Sequence, residues 1–209
     1  MNLANKCTMF RVLLVPIFVV FLAINSFWTN IIALVIFIIA SITDYFDGII
    51  ARKYNLVTTF GIFLDPLADK LLVTSAFISF VGEYSLNIPA WMVICIIARE
   101  FIITGLRSIA NSQNIVIPAN IFGKIKTTSQ MFTIITILVI LIINSALARF
   151  YFLTPYDLLE LDVKQQWLGM FLIYAPYWLM FITTMFTLYS GFTYMVEYKK
   201  IFSDKTIKK

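Results

Sequence analysis

Apolar runs long enough to cross a bilayer recur along this chain, separated by short polar breaks. A crossing helix needs about 20 residues, and six stretches qualify: 8–27, 30–50, 61–81, 88–108, 122–144 and 168–196. The breaks differ in charge. Those at 25–30 and 82–87 are short and nearly uncharged, whereas those at 51–60 and 109–121 sit among basic residues. Of the 16 Lys and Arg, 14 fall on the side shared by the N-terminus, the second and fourth breaks and the C-terminal tail, and only Arg149 and Lys164 fall opposite. Basic residues stay on the cytoplasmic side during insertion. The pattern therefore predicts an even number of spans with both termini in the cytoplasm.

Three segments stand outside the spans. The lead at 1–10 is polar to amphipathic and reads as an interfacial segment; no small-x-small cleavage site follows it, as a signal peptide would require. The segment 145–167 is too polar to span, with Asp157, Glu160 and Asp162 among leucines, and it predicts a short outer surface helix with Trp167 at the interface. The tail places Lys199, Lys200, Lys205, Lys208 and Lys209 directly after the last span. Such a cluster serves as a positive-inside anchor and also attracts anionic headgroups.

Composition narrows the class. With 61% hydrophobic and 13% charged residues, the chain is expected to be all-α and integral to the membrane, with six transmembrane helices after a short N-terminal interfacial segment. Neither repeats nor a Pro/Gly/Ser-rich linker divide it, so a single domain over 1–209 is expected. The net charge of +5 comes without an aromatic-interleaved or groove-reading motif, so no nucleic-acid partner is expected. There is no histidine, which removes histidine bases, histidine-bound zinc and the Ser-His-Asp triad. Cys7 and Cys95 fall in different segments and form neither a disulfide framework nor a CxxC site.

The chemistry concentrates between the second and third spans, where DYFDGIIARKYNLVTTFGIFLDPLADK carries Asp44, Asp47, Asp65 and Asp69. Ionisable groups at such depth are costly and mark function. If the second helix runs toward the cytoplasm and the third runs back, a rise of about 1.5 Å per residue places Asp47 and Asp65 about one turn inside and Asp44 and Asp69 about two. Spacings of i,i+3 and i,i+4 put each pair on one helix face. Four converging carboxylates need cations to balance them, and an all-oxygen set suits Mg²⁺ or Mn²⁺. Gly48, Ala51 and Gly61 allow either the close approach of a ligand or close helix packing. Arg52 is a planar fork suited to phosphate oxygens. Cation transport is the competing use of four carboxylates, but transporters place them near the midplane and often carry repeats.

The pattern Asp44-x2-Asp47-Gly48-x2-Ala51-Arg52-x8-Gly61-x3-Asp65-x3-Asp69 resembles the signature of the CDP-alcohol phosphotransferase family at every fixed position. The resemblance implies a six-helix membrane fold in which a hydroxyl attacks the β-phosphorus of a CDP-linked lipid and displaces CMP. It implies a two-metal site held by Asp44, Asp47, Asp65 and Asp69, with Asp69 as the base, and a homodimer. Gly48, Ala51, Arg52 and Gly61 would then meet the CDP-lipid.

Selection of the acceptor falls to the fourth and fifth spans. AREFIITGLR supplies Arg99, Thr104 and Arg107, and GKIKT supplies Lys124 and Lys126. The four cations could form an anion pocket for a phosphate-bearing acceptor. Positive-inside charge and an Arg99–Glu100 pair are the plainer uses. Both stretches resemble the family's bacterial branch that acts on sn-glycerol 3-phosphate, which implies CDP-diacylglycerol as donor, a bacterial inner membrane and a cytoplasmic site. Cardiolipin, phosphatidylserine and inositol-phosphate synthesis are the alternatives within the family. The opening NLANKCTMFRVLLVP keeps Asn5, Thr8 and Arg11 in the family's register, with Ala4 where proline is usual and Cys7 where an aliphatic is common. By that resemblance Asn5 and Thr8 would lie near the nucleotide. Motifs carry the resemblance from Asn2 to Thr128, and architecture alone carries it beyond.

Overall fold

The computed structural model describes residues 3–54, 59–112 and 121–197, with side chains at 8–43, 68, 70–110, 123 and 125–196. These residues form six α-helices: α1 (Leu3–Ile24), α2 (Phe27–Tyr54), α3 (Thr59–Val81), α4 (Ala90–Ser112), α5 (Ile121–Ala146) and α6 (Val163–Glu197). No strand occurs among the described residues. Each helix covers one of the six apolar stretches. The lead is helical from Leu3 and continuous with the first apolar run, because nothing between Leu3 and Arg11 breaks a helix. The basic tail beyond Glu197 lies outside the described residues.

Apolar side chains cover the outside of the described helices as well as filling their core. Large apolar side chains face outward, among them Leu13, Val20, Trp28, Ile94, Phe132 and Phe171, while Asn30, Gln130, Thr133, Thr183, Thr184 and Thr187 are buried. That is the arrangement of a protein whose outer solvent is lipid, where polar side chains serve as links between helices. By length and composition, Ile125–Tyr151 and Val163–Val196 can each cross a membrane, and Thr8–Ile24, Phe27–Thr43 and Lys70–Val81 are shorter apolar helices.

The chain divides into two compact units. The first comprises Met1–Ile88 and Ile134–Pro176. Within it α1 packs against both α2 and α3, with the Phe18 and Phe37 rings 5.9 Å apart. Asn25 ends α1 with φ of 45°, a left-handed conformation that asparagine tolerates better than most residues. The Asn25 side chain donates to Glu83 Oε2 at 2.6 Å. Buried Asn30 donates to Asn25 Oδ1 at 2.9 Å and to Ser145 Oγ at 2.7 Å. The turn between α1 and α2 is thereby tied to the exit of α3 and the end of α5, through bonds worth about 0.6–2 kcal/mol each in an apolar surround.

The segment expected as an outer surface helix is shorter and more irregular than predicted. One π turn (Leu147–Tyr151) and one 3-10 turn (Asp157–Glu160) precede α6, which starts at Val163. The Asp162 carbonyl accepts from the Gln165 and Gln166 amides at 2.8 and 3.0 Å, so the helix nucleates there. Trp167 consequently lies on the first turns of α6 and is largely exposed. The second unit comprises Pro89–Thr133 and Tyr177–Lys209. A polar seam joins its parts of α5 and α6: Thr133 and Thr183 hydroxyls lie 2.6 Å apart, Ser129 and Thr183 3.3 Å, and Gln130 donates to Thr187 at 3.4 Å.

Two predictions concern the segment between α5 and α6. A Cβ on Gly169 would sit 2.8 Å from the Pro155 carbonyl oxygen and 3.1 Å from Leu158 Cβ. Gly169→Ala should therefore destabilise the protein by about 1–3 kcal/mol in a detergent unfolding titration. Without that contact, alanine would instead stabilise the helix by up to about 1 kcal/mol. Separately, hydrogen bonds from the Thr154 amide and hydroxyl, at 2.6 and 2.9 Å, hold the Asp157 carboxyl below its ordinary value. A depressed folded-state value gives stability that is complete above the unfolded value and lost as pH falls through the folded one. Hydrogen-exchange protection of the Thr154 amide should accordingly fall in acid, and Asp157→Asn should flatten that dependence.

Candidate active site

Asp44 and Asp47 lie three residues apart on α2, and Asp65 and Asp69 four apart on α3. Both helices run through these positions without a break, so each pair shares a helix face by register alone. Both helices belong to the first unit. The side chains of all four aspartates, and of Asn5, Gly48, Ala51, Arg52 and Gly61, lie outside the described residues. Thr8 and Arg11 are buried on α1. The donor chemistry fits a hard divalent cation: four carboxylates, paired on two helices, with neither sulfur nor imidazole nearby in sequence.

The predicted acceptor residues belong to the second unit, and the structure brings two of them together. Arg99 and Lys126 share one carboxylate, Glu100. Lys126 Nζ pairs with Glu100 Oε1, and Arg99 Nη1 lies 3.6 Å from the same oxygen. The three side chains are only 11%, 16% and 8% exposed for Arg99, Glu100 and Lys126. Two cations thus share one carboxylate. From α6, Ser190 Oγ accepts from Arg99 Nη2 at 2.9 Å. Among the described residues the buried Nε–H of Arg99 meets no acceptor, and an orphaned buried donor costs about 1–3 kcal/mol. That donor is one with which the cluster can take an anion.

The other acceptor residues are placed differently. Thr104 is half-buried on α4, Arg107 is exposed, and the Lys124 side chain lies outside the described residues. Among the described residues, a Cβ on Gly105 or Gly123 would meet nothing within 4 Å. The Arg99–Glu100 pair that competes with a phosphate role is present, and the same carboxylate also meets Lys126. Ser190 and Gly191 did not emerge from the sequence. Their signal is faint: one small polar Ser-Gly step inside the aromatic run TLYSGFTY.

Known proteins resemble this chain along most of its length. The family model described as CDP-alcohol phosphatidyltransferase matches residues 1–196. A Bacillus subtilis protein named CDP-diacylglycerol--glycerol-3-phosphate 3-phosphatidyltransferase is 46% identical over 149 residues, covering 66% of this chain and 76% of the relative. Proteins of the same name from Rickettsia bellii and Salmonella paratyphi A are 42% and 41% identical over 134 and 135 residues. Those matches cover 64% and 62% of this chain and 72% of each relative.

The shared carboxylate generates a prediction. Removing one partner of a buried ion cluster leaves uncompensated charge and costs about 3 kcal/mol or more. Glu100→Gln should therefore lower stability by about that amount, read from an unfolding titration in detergent. Lys126→Met in the same background should recover part of the loss, since it removes one of the two cations that lean on that carboxylate.

Proposed function

The chain belongs to the CDP-alcohol phosphatidyltransferase family, and from that premise we propose that it transfers the phosphatidyl group of CDP-diacylglycerol to sn-glycerol 3-phosphate. The products are phosphatidylglycerophosphate and CMP, a step of phospholipid synthesis. The observation that carries the reading is the name shared by relatives 46% and 42% identical to this chain.

In this reading the glycerol hydroxyl attacks the β-phosphorus of the CDP-lipid, a P–O bond forms, and the bond to the bridging oxygen breaks as CMP departs. Asp69 takes the hydroxyl proton. A carboxylate is a weak base near neutral pH, so its contribution depends on being placed against the bound hydroxyl. Asp44, Asp47, Asp65 and Asp69 would hold two Mg²⁺ or Mn²⁺ ions. Such ions, when bound, neutralise charge on the diphosphate and on the leaving CMP. Gly48, Ala51 and Gly61 leave room for the CDP-lipid, Arg52 offers its guanidinium to phosphate oxygens, and Asn5 and Thr8 face the nucleotide. Arg99, Thr104, Arg107, Lys124 and Lys126 receive the acceptor's phosphate. The buried cluster around Glu100 supports this assignment, because it gathers a guanidinium and an ammonium at one place, the groups that recognise phosphate.

The same proposal extends to topology and assembly. One membrane domain crosses a bacterial inner membrane six times, with both termini and the site on the cytoplasmic face, and two copies associate. The one-sided distribution of 14 of the 16 basic residues supports the orientation.

CMP release by the purified protein from CDP-diacylglycerol should require both glycerol 3-phosphate and Mg²⁺ or Mn²⁺. Product formed from serine or inositol phosphate, with none from glycerol 3-phosphate, would overturn the acceptor. Asp69→Asn should cut turnover by about 100-fold or more while CDP-diacylglycerol still binds. Wild-type turnover in that variant would remove Asp69 from the role of base.

A further inference from the structure

Arg99 reaches the second unit's polar interior only because α6 makes room for it. A Cβ on Gly191 would stand 2.9 Å from Arg99 Cγ, 3.3 Å from Nε and 3.7 Å from Cδ, so the arginine stem lies directly against the α6 backbone. The preceding residue, Ser190, is buried and accepts from Nη2 at 2.9 Å. On the other edge of the guanidinium, Nη1 faces Glu100 at 3.6 Å. Ser190 and Glu100 thereby fix the guanidinium plane from two sides, and among the described residues the Nε–H meets no acceptor. A guanidinium recognises phosphate through the orientation of its planar fork as much as through its charge.

We propose that Ser190 and Gly191 of α6 are positioning residues that set the orientation of Arg99 and so determine affinity for the phosphate of the acceptor. The inference rests on the acceptor reading above and deepens it. Gly191 acts by having no side chain, Ser190 by its hydroxyl. Neither needs to touch either substrate. The effect is therefore selective: misorienting Arg99 weakens the hold on the acceptor's phosphate and leaves the CDP-lipid's own contacts in place. By contrast, Gly105 and Gly123 have nothing close to a built Cβ, so alanine there does not act through Arg99.

The test is steady-state kinetics of the full-length protein in mixed micelles, with both substrates varied. Ser190→Ala should raise KM for glycerol 3-phosphate about 10-fold, the scale of one hydrogen bond to a charged group, with KM for CDP-diacylglycerol unchanged. Ser190→Thr, which keeps the hydroxyl, should restore the acceptor KM. Gly191→Ala should raise the same KM and add nothing in an Arg99→Ala background, because two residues acting through one contact are not additive. An unmoved acceptor KM in both Ser190→Ala and Gly191→Ala would overturn the inference, as would equal rises in both KM values or independent effects of Gly191→Ala and Arg99→Ala. If Gly191→Ala does not fold, the Ser190 pair decides alone. A wild-type protein that uses only phosphate-free acceptors would overturn the acceptor reading itself, and the inference with it. Wild-type activity on glycerol 3-phosphate with unmoved variants overturns the inference alone.

Discussion

A charge held in an apolar surround must be matched, and much of that matching gathers at Glu100. Arg99 and Lys126 both lean on that one carboxylate. The desolvation of buried ions is repaid only when good geometry is joined by further hydrogen bonds. Ser190 provides one such bond, and among the described residues the Arg99 Nε–H is left over. Those features fit the proposed reading, in which the acceptor's phosphate joins the cluster.

The same constraint explains why the interior is polar where it is. Lipid offers no partner to a hydroxyl or amide, so such groups turn inward and pair with each other. In the first unit Asn30 gathers Asn25 and Ser145, and in the second Thr133, Gln130 and Ser129 meet Thr183 and Thr187. Along α6, Thr183, Thr187 and Ser190 follow at intervals of four and three, which places them on one face. The seam that joins α5 to α6 therefore ends, on α6, at the residue that holds Arg99.

Sequence made the helices legible because apolar helices are written locally. Hydrophobic length located the six α-helices of the described residues, with ends displaced by a few residues. At Val163 the Asp162 carbonyl starts α6 earlier than hydropathy suggested, and Trp167 joins the helix instead of a separate surface turn. In the same way, the helical lead from Leu3 follows from the absence of any breaker, whereas hydropathy only registers that it is polar. Arg99 and Lys126 were legible as site candidates because charge at such positions is costly in itself. Ser190 and Gly191 were not, because their meaning lies in a contact across 91 residues of chain, and a Ser-Gly step is chemically bland until the arginine is laid against it.

Two opposite demands coexist in this chain, and together they limit what chemistry it serves. In the proposed reading four aspartates on α2 and α3 take cations, and the cluster on α4 and α5 takes an anion. A cation transporter would need the first and has no use for the second. A lipid-binding scaffold would need neither, since binding an apolar tail puts no charge at depth. A reaction between a diphosphate-linked lipid and a phosphorylated alcohol needs both, because two anionic reactants repel each other. One is drawn to cations held by carboxylates, and the other directly to guanidinium and ammonium groups. For the second reactant the orientation of Arg99 matters as much as its charge, and that orientation is set by a hydroxyl and by a missing side chain on α6.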